Sequence, residues 1–573
     1  MKTNLLFIAV IISFTCIAQN IESKIPNSAE AVISINGDRL IDLVSIAEFD
    51  DYTFAKEMFD KLNRKRDSSL TITSIEDLGF NLNSKAFYFY KTTDSINYHN
   101  FLVKLTDKNK FESLISERDR EKIISEDGIR MMADNSSVAL WNDNLLLFSG
   151  YEKTYNYLNE NIERFMAQPE NKELSDYEVK KRITSKWAKA YALSIFKGTN
   201  EASILNDGNY RANKDKNAVA SVWVRNYGQL MEGAMSGIYD MVGVSSLGAL
   251  KSSSNLAGFK SIVANLYLDE NNARMTTEME VNSDWGKIFE NVYNSKLDKN
   301  FYNYFNQNDV LAYMSFSTDM QAFMEEYPTF ITSVYGEIMP KYKEEMMLGS
   351  EFLSLVLDEE AIGELITGDM VLLLNDFGEK EVTYLSYEYD EEDYKRKEVT
   401  KTKKEVMPDF TIMIGSKKEK LLNKAALVAI KYELFENKEG YYKINAPKNE
   451  IPVDLYTAVK NDILFFTTSK EKISNIVNNR VVKNVGKHQK LMSKNSAVFY
   501  MNGQKMMAKI PASELNKKEQ EYLKYANDHF KDVYFKSSKM KGNKLQSEMK
   551  INMATSQENS FKVFLDYIEV LAN

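Results

Sequence analysis

T-T-E-M-E-V-N at Thr276–Asn282 and Q-S-E-M-K-I-N at Gln546–Asn552 are the stretches from which the architecture of this 573-residue chain is read. A single match this short carries little weight. Four more pairs accompany it in the same order. V-I-S-I-N (Val32–Asn36) answers A-Y-M-S-F (Ala312–Phe316), and F-L-V-K-L-T-D-K (Phe101–Lys108) answers F-T-I-M-I-G-S-K (Phe410–Lys417). D-N-L-L-L-F-S (Asp143–Ser149) answers N-D-I-L-F-F-T (Asn461–Thr467), and V-W-V-R-N (Val222–Asn226) answers F-Y-M-N (Phe499–Asn502). The order points to a tandem duplication. The spacing drifts because one half carries extra sequence between Phe148 and Val222, the other a charged insertion at 388–404, and loops absorb length cheaply. The period is far too long for a solenoid. The expected organisation is a signal peptide at 1–18, a first lobe at 19–305 and a second, duplicate lobe at 306–573.

Working outward, alternating runs such as Ala86–Tyr90 (A-F-Y-F-Y) predict half-buried strands, with Phe87 and Phe89 on one face and Tyr88 and Tyr90 on the other. Helical periodicity covers Ile41–Leu62, Tyr151–Met166, Tyr177–Phe196, Met320–Met347 with a break near Pro328, Glu471–Val477 and Lys517–Phe530. The mixture predicts an α+β fold: two tandem, similar lobes, each a mainly antiparallel sheet with packed helices.

At this length more than one domain is expected. With 44% hydrophobic and 27% charged residues the composition is that of a globular protein. The net charge of −9, with no basic stripe, argues against nucleic acid as a partner.

The first residues read as a processing signal. Lys2 gives a positive start, Leu5–Phe14 an apolar stretch, and Cys16–Ala18 the small residues before a cleavage site between Ala18 and Gln19. No later segment reaches the ~18 apolar residues of a membrane span, so the mature chain is expected to have no transmembrane segment. Cys16 is placed where a lipidated cysteine would sit. Ser13 and Thr15 hold the neighbouring lipobox positions and fit them poorly, which leaves a lipid anchor as the less favoured form. Cys16 is the single cysteine, so its removal would leave no disulfide to contribute stability.

The catalytic inventory is thin. His99, His488 and His529 are far apart in sequence; His99 reads as a strand-end residue, and the other two, in Lys-rich surroundings, read as solvent-facing. No zinc-protease, nucleophile-elbow, dithiol or phosphate-loop pattern occurs. Asp390–Asp393 (D-E-E-D) is dense enough in carboxylates to draw a divalent cation such as Ca²⁺, but it lacks EF-hand spacing and runs into Lys395–Lys397, which favours a solvated loop. Glu278 and Glu548 recur at matched positions on the polar side of their strands and are expected to face solvent. The small-residue stretch Gly243–Ser254 reads as a loop, with a gate over an apolar groove as the sharper alternative. No catalytic, cofactor-binding or metal residue is therefore assigned.

Several stretches carry a family resemblance. They are I-P-N-S-A-E-A-V-I-S-I-N-G-D-R-L at Ile25–Leu40, E-D-L-G-F-N-L at Glu76–Leu82, I-T-G-D-M-V-L-L-L at Ile366–Leu374, M-P-D-F-T-I at Met407–Ile412 and E-N-S-F-K-V-F-L at Glu558–Leu565. Together they resemble uncharacterised exported proteins and lipoproteins of Bacteroidota, and the signal ending I-A-Q looks flavobacterial. The resemblance implies a periplasmic or outer-membrane-associated protein and carries no catalytic signature. The leading expectation is a non-enzymatic envelope protein binding an envelope protein, lipid or glycan. The rival is an exported carboxylate-dependent hydrolase acting on glycans or peptides, marked by two carboxyl groups within about 5–10 Å.

Overall fold

The computed structural model describes residues 20–64, 71–198, 202–226, 258–338, 340–389, 396–446, 453–510, 515–554 and 559–572. Cys16, Ala18, Gln19, the tip Asp390–Asp393 and the stretch Gly243–Ser254 lie outside them. The fold is α+β, and among the described residues the ladders with a defined register are antiparallel. Two compact units make it up: 1–225 with 261–269 and 559–573, and 226–260 with 270–558.

The first unit holds β1 (Ala31–Asn36), β2 (Lys85–Thr92), β3 (Ile96–Lys104), β4 (Ile124–Glu126), β5 (Ile129–Ala133), β6 (Ser137–Trp141), β7 (Leu145–Lys153) and β8 (Ala220–Arg225), with β9 (Phe259–Leu268) from Ser261 on. Its strands lie in the order β9–β8–β1–β2–β3–β7–β6–β5–β4. Side-chain alternation sorts the faces as the sequence predicts. Phe87 and Phe89 are buried with Leu102 and Leu147, while Tyr88 and Tyr90 are half-buried on the other side. A 22-residue helix, Asp176–Lys197, closes this core with Ala188, Ala192, Ile195 and Phe196. A Ser175/Glu178 capping box starts it and Gly198, at φ 70, stops it. The run Ile41–Leu62, expected as one helix, is three: Gly37–Leu43, Ile46–Asp51 and Thr53–Arg64. Val44 is extended and Ser45 starts a new helix by capping Glu48, a local hydrogen bond that outcompetes helix continuation. The chain's last helix, Ser560–Ala572, also belongs here: Tyr52 donates to Asp566, and the Thr53 amide donates to the Glu569 carboxylate at 2.9 and 3.0 Å.

The second unit holds β10 (Asn272–Val281), β11 (Ala312–Ser317), β12 (Asp369–Tyr389), β13 (Arg396–Gly415), β14 (Phe435–Asn437), β15 (Tyr442–Ile444), β16 (Leu455–Lys460), β17 (Ile463–Thr467), β18 (Asn495–Asn502), β19 (Phe530–Ser538) and β20 (Lys544–Met553). They lie in the order β10–β20–β19–β18–β11–β12–β13–β17–β16–β15–β14. Tyr313, Phe465, Met413 and Ile473 sit at the centre of its core. The insertion expected as a solvated loop instead prolongs a ladder. β12 and β13 run on as a 21- and 20-residue hairpin in which Tyr389 still pairs with Arg396. Alternating Val, Thr and Tyr residues with cross-strand Lys–Glu pairs satisfy strand pairing without a core on either face. The helix Met320–Ile338 runs through Pro328 without the expected break. A missing amide removes one hydrogen bond, but neighbouring contacts hold the turn, and Thr332 Oγ1 bonds the Pro328 carbonyl at 2.8 Å.

Candidate functional site

The first residues of the helix Lys487–Lys494 open a cavity of about 250 Å³ in the second unit. Gly486 precedes them at φ 54, where a Cβ would stand 2.5 Å from the Gln307 side chain, so a glycine is required for the turn. No side chain caps that helix start. The helix Gly503–Met507 brings Lys505 to the rim, and β19 brings Lys531 and Asp532.

The floor is aromatic. Tyr313 of β11 and Tyr500 of β18 are cross-strand partners whose rings stack at 5.6 Å. His488 stands edge-on to Tyr500 at 4.5 Å, and Phe305 packs against Tyr313 at 5.2 Å. His488 is 4% exposed, which overturns its expected solvent-facing position. Lys487 and Lys490 beside it in sequence are exposed, while the first helical turn directs the imidazole onto the rings, where Nδ1 meets the Tyr313 hydroxyl at 3.1 Å. Burial, then the charge of Lys487, pushes the His488 pKa down to about 4, so the ring is neutral at neutral pH.

Asp532 is the one carboxylate among the lining residues, and its side chain is 5% exposed. It accepts from Tyr500 Oη at 3.4 Å, Lys487 Nζ at 3.4 Å and Asn552 Nδ2 at 2.5 Å. Burial and the Asp532 charge raise the Tyr500 phenol to about 12. Lys505 Nζ donates to the backbone carbonyls of Asn308 at 3.0 Å and Gln307 at 3.4 Å, which fixes a long side chain at the mouth. Carboxamides of Gln307, Asn308, Asn502 and Gln504 complete the wall. Three ammonium groups against one carboxylate leave the cavity net positive in a chain of net charge −9.

The other residues singled out in the sequence do not gather here. His99 lies within β3, not at its end, with Nδ1 2.9 Å from Tyr88 Oη. His529, the last residue of its helix, stacks on Tyr525 at 3.9 Å. Glu278 and Glu548 are not free in solvent either. Glu278 bonds Lys544 and Gln546; Glu548 bonds Lys536 at 2.9 Å and Tyr534 at 2.8 Å. Partial burial would raise both carboxyls, but these bonds outweigh it and hold both below the usual range. Among the described residues no group of three or more His, Cys, Asp or Glu side chains could hold a metal ion. None of their helices is long and apolar enough to cross a membrane. The cavity residues escaped sequence reasoning because they come from four separate stretches, 305–313, 487–488, 500–505 and 531–532. The one available signal was that both Tyr313 and Tyr500 fall inside matched pairs.

No family model and no curated protein matches the chain. Among solved structures it has a distant match to TP0453, a Treponema lipoprotein, over about half its length. Crystal form III aligns at 7% identity and a TM-score of 0.25, covering 49% of this chain and 82% of that one; crystal form I aligns at 7% and 0.24, covering 46% and 80%. At those TM-scores the likeness fixes neither fold nor role for this chain.

Proposed function

We propose that this is a non-enzymatic protein of the bacterial cell envelope, exported by the signal at 1–18 and cleaved between Ala18 and Gln19, whose second lobe binds a ligand in the cavity beneath Lys487 and Lys505. The observation that carries the binding reading is the cavity itself: an aromatic floor, a carboxamide wall and cations, with convergent polar groups around one small volume. Its single lining carboxylate already has three donors, which favours binding over a hydrolase needing an acid and a second carboxylate.

The lobes, 19–305 and 306–573, descend in this reading from one duplicated ancestor. What supports it is strand order: adding ten to each strand number of the first unit's order gives β19–β18–β11–β12–β13–β17–β16–β15–β14, the run found in the second. Each of the five matched sequence pairs falls on strands whose numbers differ by ten. Helices also recur, with Ser283–Tyr293 after β10 and Ser560–Ala572 after β20.

The test is recovery of the mature chain from its own envelope at native expression, with mass spectrometry of co-purifying proteins, lipids and glycans. The control is Gln504→Trp, which fills the cavity mouth. A species enriched with the wild type and lost in the variant supports the reading. Background species alone would sink it.

A further inference from the structure

We infer that the cavity between Lys487, Lys505 and Lys531 takes a small organic oxyanion, a carboxylate or phosphate on a compact polar body. This rests on the ligand-binding reading above and names the ligand's chemistry. Its cations are exposed at the mouth but come from three separate elements, a helix start, a second helix and a strand, so the fold brings them together around one cavity. Lys505 is already held by two carbonyl oxygens, which lowers the ordering cost of presenting its ammonium to an anion. Asp532 cannot neutralise all three cations. It is nearly enclosed, and its oxygens are occupied by Tyr500, Asn552 and Lys487. The uncapped first turn above His488 adds potential of the same sign, although the cavity and its lysines carry the inference.

The body of the ligand follows from the rest of the lining. Four carboxamides line it; Gln307 donates to Asn484, Gln504 to Asn527, and Asn502 accepts from the Lys505 amide, which leaves Asn308 and the remaining amide atoms for hydroxyls. Tyr313, Tyr500, His488 and Phe305 supply an aromatic floor in which the two tyrosine rings stack and the other two rings stand edge-on to them, an apolar base for a ring or short chain. A volume of about 250 Å³ suits a single ring. An anionic monosaccharide meets all three conditions, and neutral sugars meet only two.

The experiment titrates the full mature chain with glucuronate, glucose 6-phosphate, inorganic phosphate and glucose. Calorimetry gives affinity, and NMR reads the ring signals of His488, Tyr313 and Tyr500. Both anionic sugars should bind and shift those signals, more weakly as salt rises. Lys505→Gln and Lys487→Gln should each weaken binding about tenfold, whereas Lys404→Gln, far out on the β12–β13 hairpin, should not. Binding of only one anionic sugar identifies the oxyanion and supports the inference. Glucose binding as tightly, or full affinity in both cavity variants, overturns the anion while leaving a ligand-binding cavity intact. If no probe moves the three rings, the inference also falls, and the co-purification experiment then judges the binding reading separately. Should a lysine variant unfold, the salt dependence of wild-type affinity still decides: a flat response overturns the inference.

Discussion

Two buried groups in the second unit titrate against each other. His488 has its pKa pushed down to about 4 by burial and Lys487, against an unfolded value near 6.5. As pH falls from about 6.5 to 4 the unfolded chain gains a proton that the folded chain refuses, so stability drops with acid. Asp369 runs the other way. Burial foremost, and the nearby charges of Asp298 and Asp319, raise it to about 6. The folded state then holds a proton the unfolded state has released, and stability drops as pH rises from about 4 to 6. His488→Gln should therefore remove an acid-side loss of about 1–3 kcal/mol, and Asp369→Asn should stabilise the protein at pH 7 by a similar amount. Urea unfolding across pH 4–7 checks both; parallel curves for wild type and variants would refute them. Backbone strain gives a second prediction at this scale. Gly79 sits at φ 77 with a would-be Cβ 2.3 Å from the Asp107 carbonyl, so Gly79→Ala should cost about 1–3 kcal/mol of the first unit's stability. The glycine was visible in E-D-L-G-F-N-L, but its reason was not, because Asp107 lies 28 residues downstream. His488 was misread for the same cause: Lys487 and Lys490 beside it indicate solvent, and the rings that bury it arrive from Tyr313 and Tyr500.

Elements were the most legible level. Strand alternation is local, so the faces of β2 could be assigned from A-F-Y-F-Y before any partner was known. Helix starts were harder, as the division of Ile41–Leu62 by Ser45 and its capping box shows. The charged insertion was hardest. Its Lys and Glu residues look like loop, yet across the ladder they form ion pairs such as Lys401–Glu388 at 2.8 Å, offset along the two strands. That extension carries exposed side chains over much of its length and contributes nothing to the second core. Replacing Lys380–Glu405 by a two-residue Asn-Gly turn should close the hairpin at Glu379 and Val406, which already pair. Melting temperature and the cavity's NMR signals should stay unchanged within a few degrees and a few hundredths of a ppm, in keeping with a ladder that buries little apolar surface. A collapse of either would mean the distal ladder supports the core.

For the whole molecule, sequence position is a poor guide to structural membership. Ser560–Ala572 follows β20 directly in the chain, yet Asp566 and Glu569 on it bond Tyr52 and Thr53, and Asn559 just before it bonds Leu43, all more than 500 residues away. No periodicity announces a partner at that separation. Ending the chain at 558 should leave Thr53 without its carboxylate cap and Tyr52 without its acceptor Asp566. The first unit's calorimetric transition should then fall while the second's holds. A single transition shifting as one would contradict it. The returning helix also sets an order of manufacture. A ribosome releases segments of the first unit both before and after those of the second, so that unit must wait, unfinished, while the other is completed. A cell making this protein therefore has a nascent chain whose earliest part is the last to be sealed, and any stall or cut near the final helix would damage the end made first.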